Sequence, residues 1–517
     1  IKVEVNRAST DGKLVDFAGQ NVSISTGTSA APSSITLDMD GSLGELTRAS
    51  GNLNLNVMGF VQVSGGLAIE KRDAQIKVAD LTGTPSVDES VTPIAVSQLR
   101  IGAHGIDAFA GVNGGKANAL GLNLSNVDLG IVINSEKVDQ GKVAREWTSL
   151  QATAGGAAFV GVDGLTVSAD HLTVNVNRAA ADATVVDYRT GASDITISTG
   201  PASSMKMDMD GSRGELLQLS GHMAIDAFGF VRVDGEFALD KASQVRTVTL
   251  ADGGTAQTQL LTLGGHNINA FAGMGGGSDH AVGLSLGGVD FGLALYSDVA
   301  SETRSWTALQ ARAKSAGLIG VDGLTIQGND LLVEVNRAGK PQDAVVDFGL
   351  SDPTNTSSVR NTQLTIKTGL NSSQTMTLDG KDGAVTRAAG HITVDAFGFL
   401  QLGGNLALER RDTHVVLNDG VVSDDPLKVK APTEMAASLL TIGGSDLDAF
   451  VGVNGNSANR LGLALSKVNF GDTLTTEKLA EGSTATARTF TSAKASAGEV
   501  AFVGLSGVTA KASDRGH

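Results

Sequence analysis

Two stretches of the chain place three carboxylates around a glycine turn. Asp38-Met39-Asp40-Gly41-Ser42-Leu43-Gly44-Glu45 and Asp208-Met209-Asp210-Gly211-Ser212-Arg213-Gly214-Glu215 share the pattern D-x-D-G-x-x-G-E. Calcium takes about six or more oxygen ligands at roughly 2.3–2.6 Å, and a tight turn with three carboxylates and free carbonyls is one way to supply them. Asp38, Asp40 and Glu45, and likewise Asp208, Asp210 and Glu215, are therefore the candidate calcium ligands. A third stretch, Thr377-Leu378-Asp379-Gly380-Lys381-Asp382-Gly383, loses two carboxylates and puts Lys381 where a cation would sit, so no ion is expected around Asp379 and Asp382. The competing explanation is an Asp-Gly hairpin turn with solvated acids. It is favoured because the motif is far shorter than a calcium loop of about twelve residues.

Other residue types with chemical potential do not assemble. Gly283-Leu284-Ser285-Leu286-Gly287 matches the G-x-S-x-G nucleophile pattern, which needs a strand–turn–helix elbow. Here it falls in alternating strand sequence, and the corresponding positions elsewhere hold Asn123 and Ala464. None of the eight histidines stands in an H-E-x-x-H or comparable metal pair. His104 and His266 occupy matching sites, with Ser445 in the third, and His222 matches His391, with Asn52 in the first. These are read as polar strand or turn residues with local hydrogen bonds. Trp147 and Trp306 recur at one position, replaced by Phe490, and are expected to be core plugs rather than carbohydrate platforms. The chain has no cysteine, which excludes disulfides and thiolate metal sites. A formal charge of −16 argues against nucleic-acid binding, which requires a positive surface.

The elements that must position these residues repeat along the 517-residue chain. "IKVEVNRA" returns as "LTVNVNRA" and "LLVEVNRA", placing Asn6, Asn177 and Asn336, and each is followed by a V-D-aromatic phrase at Asp16, Asp187 and Asp347. The period is roughly 165 residues, a tandem array. Inside it lie three phrases about 50 residues apart, nine in all, centred on Met58, Phe109, Phe159, Phe228, Phe271, Leu318, Phe397, Phe450 and Phe502. All nine centres are expected in the core. The resulting division is 1–14 as the tail of a preceding repeat, then 15–184, 185–344 and 345–517.

"ITLDMD", "LNLNVMGFVQV" and "LTVNVN" alternate apolar with polar residues, the mark of half-buried strands. Asp163-Gly164, Asp322-Gly323, Asn113-Gly114 and Asn454-Gly455 are two-residue hairpin signals. Lys71-Arg72 and Arg410-Arg411 are expected at strand ends as gatekeepers. Length variation sits in loops around Pro85, Pro93, Pro353, Pro426 and Pro432, and at Asn355-Thr356-Ser357-Ser358. The 66 glycines fit many turns. The fold class is all-β: an elongated tandem-repeat rod of stacked, β-solenoid-like sheets. The first residues read as a mid-repeat segment rather than a signal peptide, so the chain is expected to be a stretch of something longer. No apolar run is long enough for a transmembrane helix.

With "SGNLNLNVMGFVQVSGGLAIEK", "IDAFAGVNG" and "WTSLQATAGGAAFVGVDGLTVSADHLTVNVN" in hand, the chain resembles the tandem-repeat regions of very large, repetitive bacterial proteins. These are adhesin-like proteins of the secreted or cell-surface kind, and the likeness covers essentially the whole chain. It implies an extracellular or cell-surface location and carries over no catalytic or binding residue. The expected function is a structural or adhesive module (stalk, fibre or surface-layer component), not an enzyme, and without a cofactor unless calcium binds. Its expected partners are further copies of the same repeat or protein, and cell-surface glycans. The alternative is a scaffold holding a lipid or glycan along a groove of stacked sheets. Exposed apolar residues on one face of successive strands would mark that groove.

Overall fold

A computed structural model describes residues 1–20, 22–80, 88–89, 93–189, 193, 195–301, 303–349, 362–418, 432–479, 483–504 and 510–513. Pro85, Pro353, Pro426 and 355–358 lie outside them. The fold is all-β, dominated by a large open antiparallel sheet. The only helical pieces among the described residues are the short 3-10 turns Gly41–Leu43, Gly211–Arg213 and Gly380–Asp382.

Two compact units are present. The first, Ile1–Ala224 with Ala238–Val245, contains β1 (Lys2–Asn6), β2 (Leu46–Val57), β3 (Val61–Ile76), β4 (Ile94–Val112), β5 (Leu120–Glu136), β6 (Glu146–Val160) and β7 (Leu165–Arg178). Each pairs antiparallel with the next. Strands β8 (Leu216–Ala227) and β9 (Val231–Thr249) contribute residues to both units. The second unit, Ile225–Phe237 with Arg246–His517, continues with β10 (Thr255–Met274), β11 (Val282–Asp298), β12 (Ser305–Ile319), β13 (Leu324–Ala338) and β14 (Val385–Ala396). It ends with β15 (Leu400–Leu417), β16 (Thr433–Val453), β17 (Leu461–Glu477), β18 (Thr489–Ser496), β19 (Glu499–Val503) and β20 (Ala510–Ser513). From β10 to β17 neighbours in sequence again pair; β18 and β19 then share β17 end to end, and β20 pairs with β19.

The strands are long, 21 residues in β16, against about five or six in an ordinary sheet. Bulges split them. The ladder slips between Ala103 and Ala108, between Gly265 and Ala270, and between Gly444 and Ala449, with Gly105, Asn267 and Asp446 at positive φ. A slip of one residue reverses which side chains face which way, so the two halves of a strand present separate patterns.

One half of the sheet lies under a layer of irregular chain. In the first unit the layer carries the hairpin Thr196–Ser198/Ser204–Lys206, and Val186, Tyr188, Ile197 and Met207 meet Ile76, Val96, Val132 and Trp147 of the sheet. In the second unit the hairpin Thr365–Lys367/Ser373–Thr375 brings Val346, Phe348, Ile366 and Met376 onto Val248, Ala294, Tyr296 and Trp306. Most of these side chains are fully enclosed; burying one large apolar side chain is worth about 1.5–3 kcal/mol. Close approach depends on glycine: a Cβ on Gly102 would run into the Ser198 carbonyl, and one on Gly264 into that of Lys367.

The expectation that all nine phrase centres are buried is corrected. Phe109 and Phe450 are in the core, and Phe271 and Leu318 are half-buried. Met58, Phe228 and Phe397 are 91%, 59% and 62% exposed, and Phe159 and Phe502 are also on the surface. The first three open three-residue hairpin connections, 58–60, 228–230 and 397–399, at φ 52°, 56° and 55°, each followed by glycine at positive φ. An apolar-Gly pair here does the work usually given to Asn-Gly. Asn113-Gly114 and Asn454-Gly455 sit instead in seven-residue connections, 113–119 and 454–460. Lys71-Arg72 and Arg410-Arg411 lie inside β3 and β15 rather than at their ends. There Arg72 approaches Glu70 at 3.8 Å and Arg411 approaches Glu409 at 3.4 Å.

Candidate functional site

The acidic turns share one local design. Asp40 accepts a hydrogen bond from the Ser42 amide at 2.8 Å and caps the 3-10 turn, and Gly44 at φ 74° closes it. Asp210 with Ser212 and Asp379 with Lys381 repeat this at 2.8 and 2.9 Å. The first turn glycine is held by the aspartate of the V-D-aromatic phrase. Gly41 donates to Asp16 at 2.9 Å, Gly211 to Asp187 at 3.1 Å and Gly380 to Asp347 at 2.9 Å. In the sequence those aspartates stand out only as repeat markers. The available signal was that both phrases recur together with a glycine in each turn.

The candidate ligands have separate partners. Asp38 is exposed, 3.9 Å from the Lys2 ammonium, and Glu45 accepts the Ala8 amide at 2.9 Å. In the second turn Asp208 is exposed, Asp210 is 3.2 Å from Arg189 and Glu215 is 3.8 Å from Arg178. In the third turn Asp382 accepts from Arg387 at 3.0 Å. Among the described residues no group of three or more His, Asp or Glu is arranged to hold a metal ion. The hydrogen bonds from the Ser42 side chain and amide hold the Asp40 carboxyl below its ordinary value. Burial works to raise the Asp187 carboxyl, but hydrogen bonds from Arg189 and the Gly211 amide outweigh it and keep it below that range.

The remaining candidates sit in local hydrogen bonds and packing. Ser285 lies mid-strand in β11 and donates to the Gly317 carbonyl at 3.3 Å. His104 pairs with Asp128 at 2.8 Å and His266 with Asp290 at 2.7 Å; the same carboxylates take the amides of Gly105 and Asn267, pinning the bulges. His222 meets Asp170, and His391 meets Asn405, both at 3.2 Å. Trp147 and Trp306 are fully buried, and their indoles donate to the carbonyls of Thr184 at 3.1 Å and Ala344 at 2.8 Å. Phe490, at the matching position in sequence, is 38% exposed.

One face of the uncovered half of the sheet carries apolar rows. Pairing aligns Ala272, Leu284, Leu318 and Ile326 across β10 to β13, and the row continues through Val394 and Leu402 in β14 and β15. Leu284 is 63% exposed and Ile326 42%. Together with Val231, Val233, Ala270 and Leu286 they line a concavity of about 580 Å³, with Arg232, Ser285 and Gln327 among its few polar residues. In the first unit Val57, Val61, Leu122, Phe159 and Val167 form a similar exposed row through Ala110. Contiguous exposed apolar surface is the kind of surface on which binding grooves are built.

No family model matches the chain, and no curated protein matches it.

Proposed function

We propose that the chain is a structural repeat module of an extracellular or cell-surface protein, a stalk, fibre or surface-layer component. In this proposal three copies of one unit follow one another, the second and third each laying an irregular layer over strands of the copy before it. The observation that carries this is a shared seam bond. Asn6, Asn177 and Asn336 each donate a side-chain amide hydrogen to the carbonyl of Val15, Val186 or Val346, at 2.9, 2.8 and 2.7 Å, joining the strand to the layer that follows. Repeats that touch mainly their neighbours suit mechanical spacing. Force spectroscopy on a tethered chain tests it. Unfolding in successive steps of roughly 165 residues, about 55 nm of released contour, is expected, whereas one all-or-none event overturns it.

The exposed apolar row favours a second proposal, a scaffold that holds a single-chain lipid along the sheet. A cavity of about 580 Å³ falls in the usual range for small-molecule sites, and its lining is almost entirely aliphatic. Titration with a fluorescent fatty acid tests it: saturable binding that Leu284→Glu abolishes supports it, and its absence removes it.

A further inference from the structure

Three hairpin tips present apolar side chains to solvent. Residues 58–60, 228–230 and 397–399 read Met-Gly-Phe, Phe-Gly-Phe and Phe-Gly-Phe, so each tip carries two large apolar side chains around one glycine. Met58, Phe228 and Phe397 stand exposed at positive φ, and Phe60, Phe230 and Phe399 beside them are 53%, 56% and 58% exposed. Asparagine is the usual non-glycine residue at such a position, and it would leave a tip that faces water polar. The tip at 228–230 stands mid-chain, between β8 and β9, and is bare like the other two.

The backbone of each tip is already satisfied within the protein. The amide of Gly59, Gly229 or Gly398 donates to the side chain of Asn56, Asp226 or Asp395 at 2.9, 2.8 and 2.8 Å. The carbonyl of the same glycine accepts the amide of Gly114, Gly276 or Gly455 at 2.8, 2.8 and 2.9 Å. Phe60, Phe230 and Phe399 donate to the carbonyls of Val57, Ala227 and Ala396 and accept the amides of Gly111, Gly273 and Gly452, all within 2.8–2.9 Å. Groups tied up in this way need no water, which is the condition that lipid imposes on backbone. They also offer a protein partner little main chain for directional recognition. What the tips present is apolar area.

In the second unit the tips share one edge of the sheet. The connections 228–230, 275–281, 320–323, 397–399 and 454–460 join antiparallel neighbours at the same end of the strands. They touch one another through the two glycine bonds, and the Phe397 amide donates to the Gly323 carbonyl at 2.6 Å. Behind the edge Leu400, Val451 and Leu463 pair across β15 to β17 in one row, and all three are exposed. Tip and row make an apolar rim about two residues, or roughly 7 Å, deep. That matches the roughly 5–10 Å to which apolar side chains enter the boundary between headgroups and acyl chains. Charge on the rim is mixed: Arg232 holds Asp226 at 3.0 Å, and Asp279, His280, Asp322 and Arg460 are exposed. With a formal charge of −16 on the chain, a zwitterionic surface suits this rim and an anionic one repels the protein.

We infer that the tips 228–230 and 397–399, and separately the tip 58–60, insert their apolar side chains into the surface of a zwitterionic lipid bilayer. This goes beyond the repeat module and the lipid held along the sheet, and it requires neither.

Flotation of the intact chain with phosphatidylcholine vesicles tests it. The wild type should float with the vesicles equally at low and high salt. Met58→Asn/Phe228→Asn/Phe397→Asn should keep or raise the melting temperature, because asparagine suits positive φ, and should lower vesicle partitioning by about tenfold or more. Phe397→Trp should float like the wild type, and its added fluorescence should be quenched by brominated acyl chains. The wild-type signal, from the enclosed Trp147 and Trp306, should not be quenched. A wild type that stays with the soluble fraction, a triple variant that floats as well as the wild type, or an unquenched Phe397→Trp would overturn the inference. So would binding confined to anionic vesicles and lost in salt. Self-association that the triple variant abolishes, without flotation, would assign the tips to a second copy and remove the bilayer. Fatty-acid binding without flotation would leave the lipid scaffold standing and remove this inference alone.

Discussion

The Trp147 indole donates to the Thr184 carbonyl oxygen at 3.1 Å, so one side chain both fills the core under the layer and ties sheet strand to layer. Trp306 makes the corresponding bond to Ala344, and these are the only two tryptophans in the chain. Each core thus has its own fluorescent reporter.

Trp147→Ala should destabilise the first core by about 3–5 kcal/mol through lost burial and the cavity left behind. In urea the remaining Trp306 signal should keep its wild-type midpoint, because in the proposed repeat array damage stays local. An equal shift of the Trp306 transition would show that both cores melt as one.

Asp187 is one contributor to stability that acid should remove. Its carboxyl, 1% exposed, lies below the ordinary carboxylate pKa of about 3.9. The stability it contributes is therefore complete above that value and is lost as pH falls through the lower folded-state value. Asp187→Asn should cost about 1.5–3 kcal/mol at neutral pH and progressively less on acidification. A pH-independent difference in denaturation midpoints would contradict this.

Glycine substitutions should separate covered from uncovered sheet. Gly102→Ala places a methyl against the Ser198 carbonyl and should cost about 1–3 kcal/mol or more by prying the hairpin off the sheet. Gly443→Ala meets no clash, and the isolated chain should be unchanged or gain up to about 1 kcal/mol. Thermal melts of the two variants read this directly.

Leu284→Lys should leave folding within about 0.5 kcal/mol, since the side chain is 63% exposed. It should nevertheless reduce the fluorescence of an apolar dye bound to the sheet. Unchanged dye binding would place the dye elsewhere than the row through Leu284 and Ile326.

The all-β class was legible because period-two alternation in "LTVNVN" and "LNLNVMGFVQV" depends only on which face of a strand is buried. The buried tryptophans were legible too, as large apolar residues at a fixed position. The misassigned centres Met58, Phe228 and Phe397 show where the pattern fails. An apolar residue is read as core, but its neighbouring glycine lets it turn a hairpin at positive φ, and backbone geometry outranks hydrophobicity there. The bond from Gly41 to Asp16 joins residues 25 positions apart, and local pattern cannot connect them. The open rows of β10–β13 were hidden for another reason: bulges at Asn267 and Asp330 change which residues share a row.

Those bulges also bear on how the molecule tolerates change over generations. A one-residue insertion or deletion in a regular strand would turn its whole length over, burying polar groups and exposing the core. Where Asn267 and Asp446 break the ladder, the misfit can be absorbed at the break. A change in the bare half can then leave the covered half in register, so a single strand can carry two surfaces that vary independently.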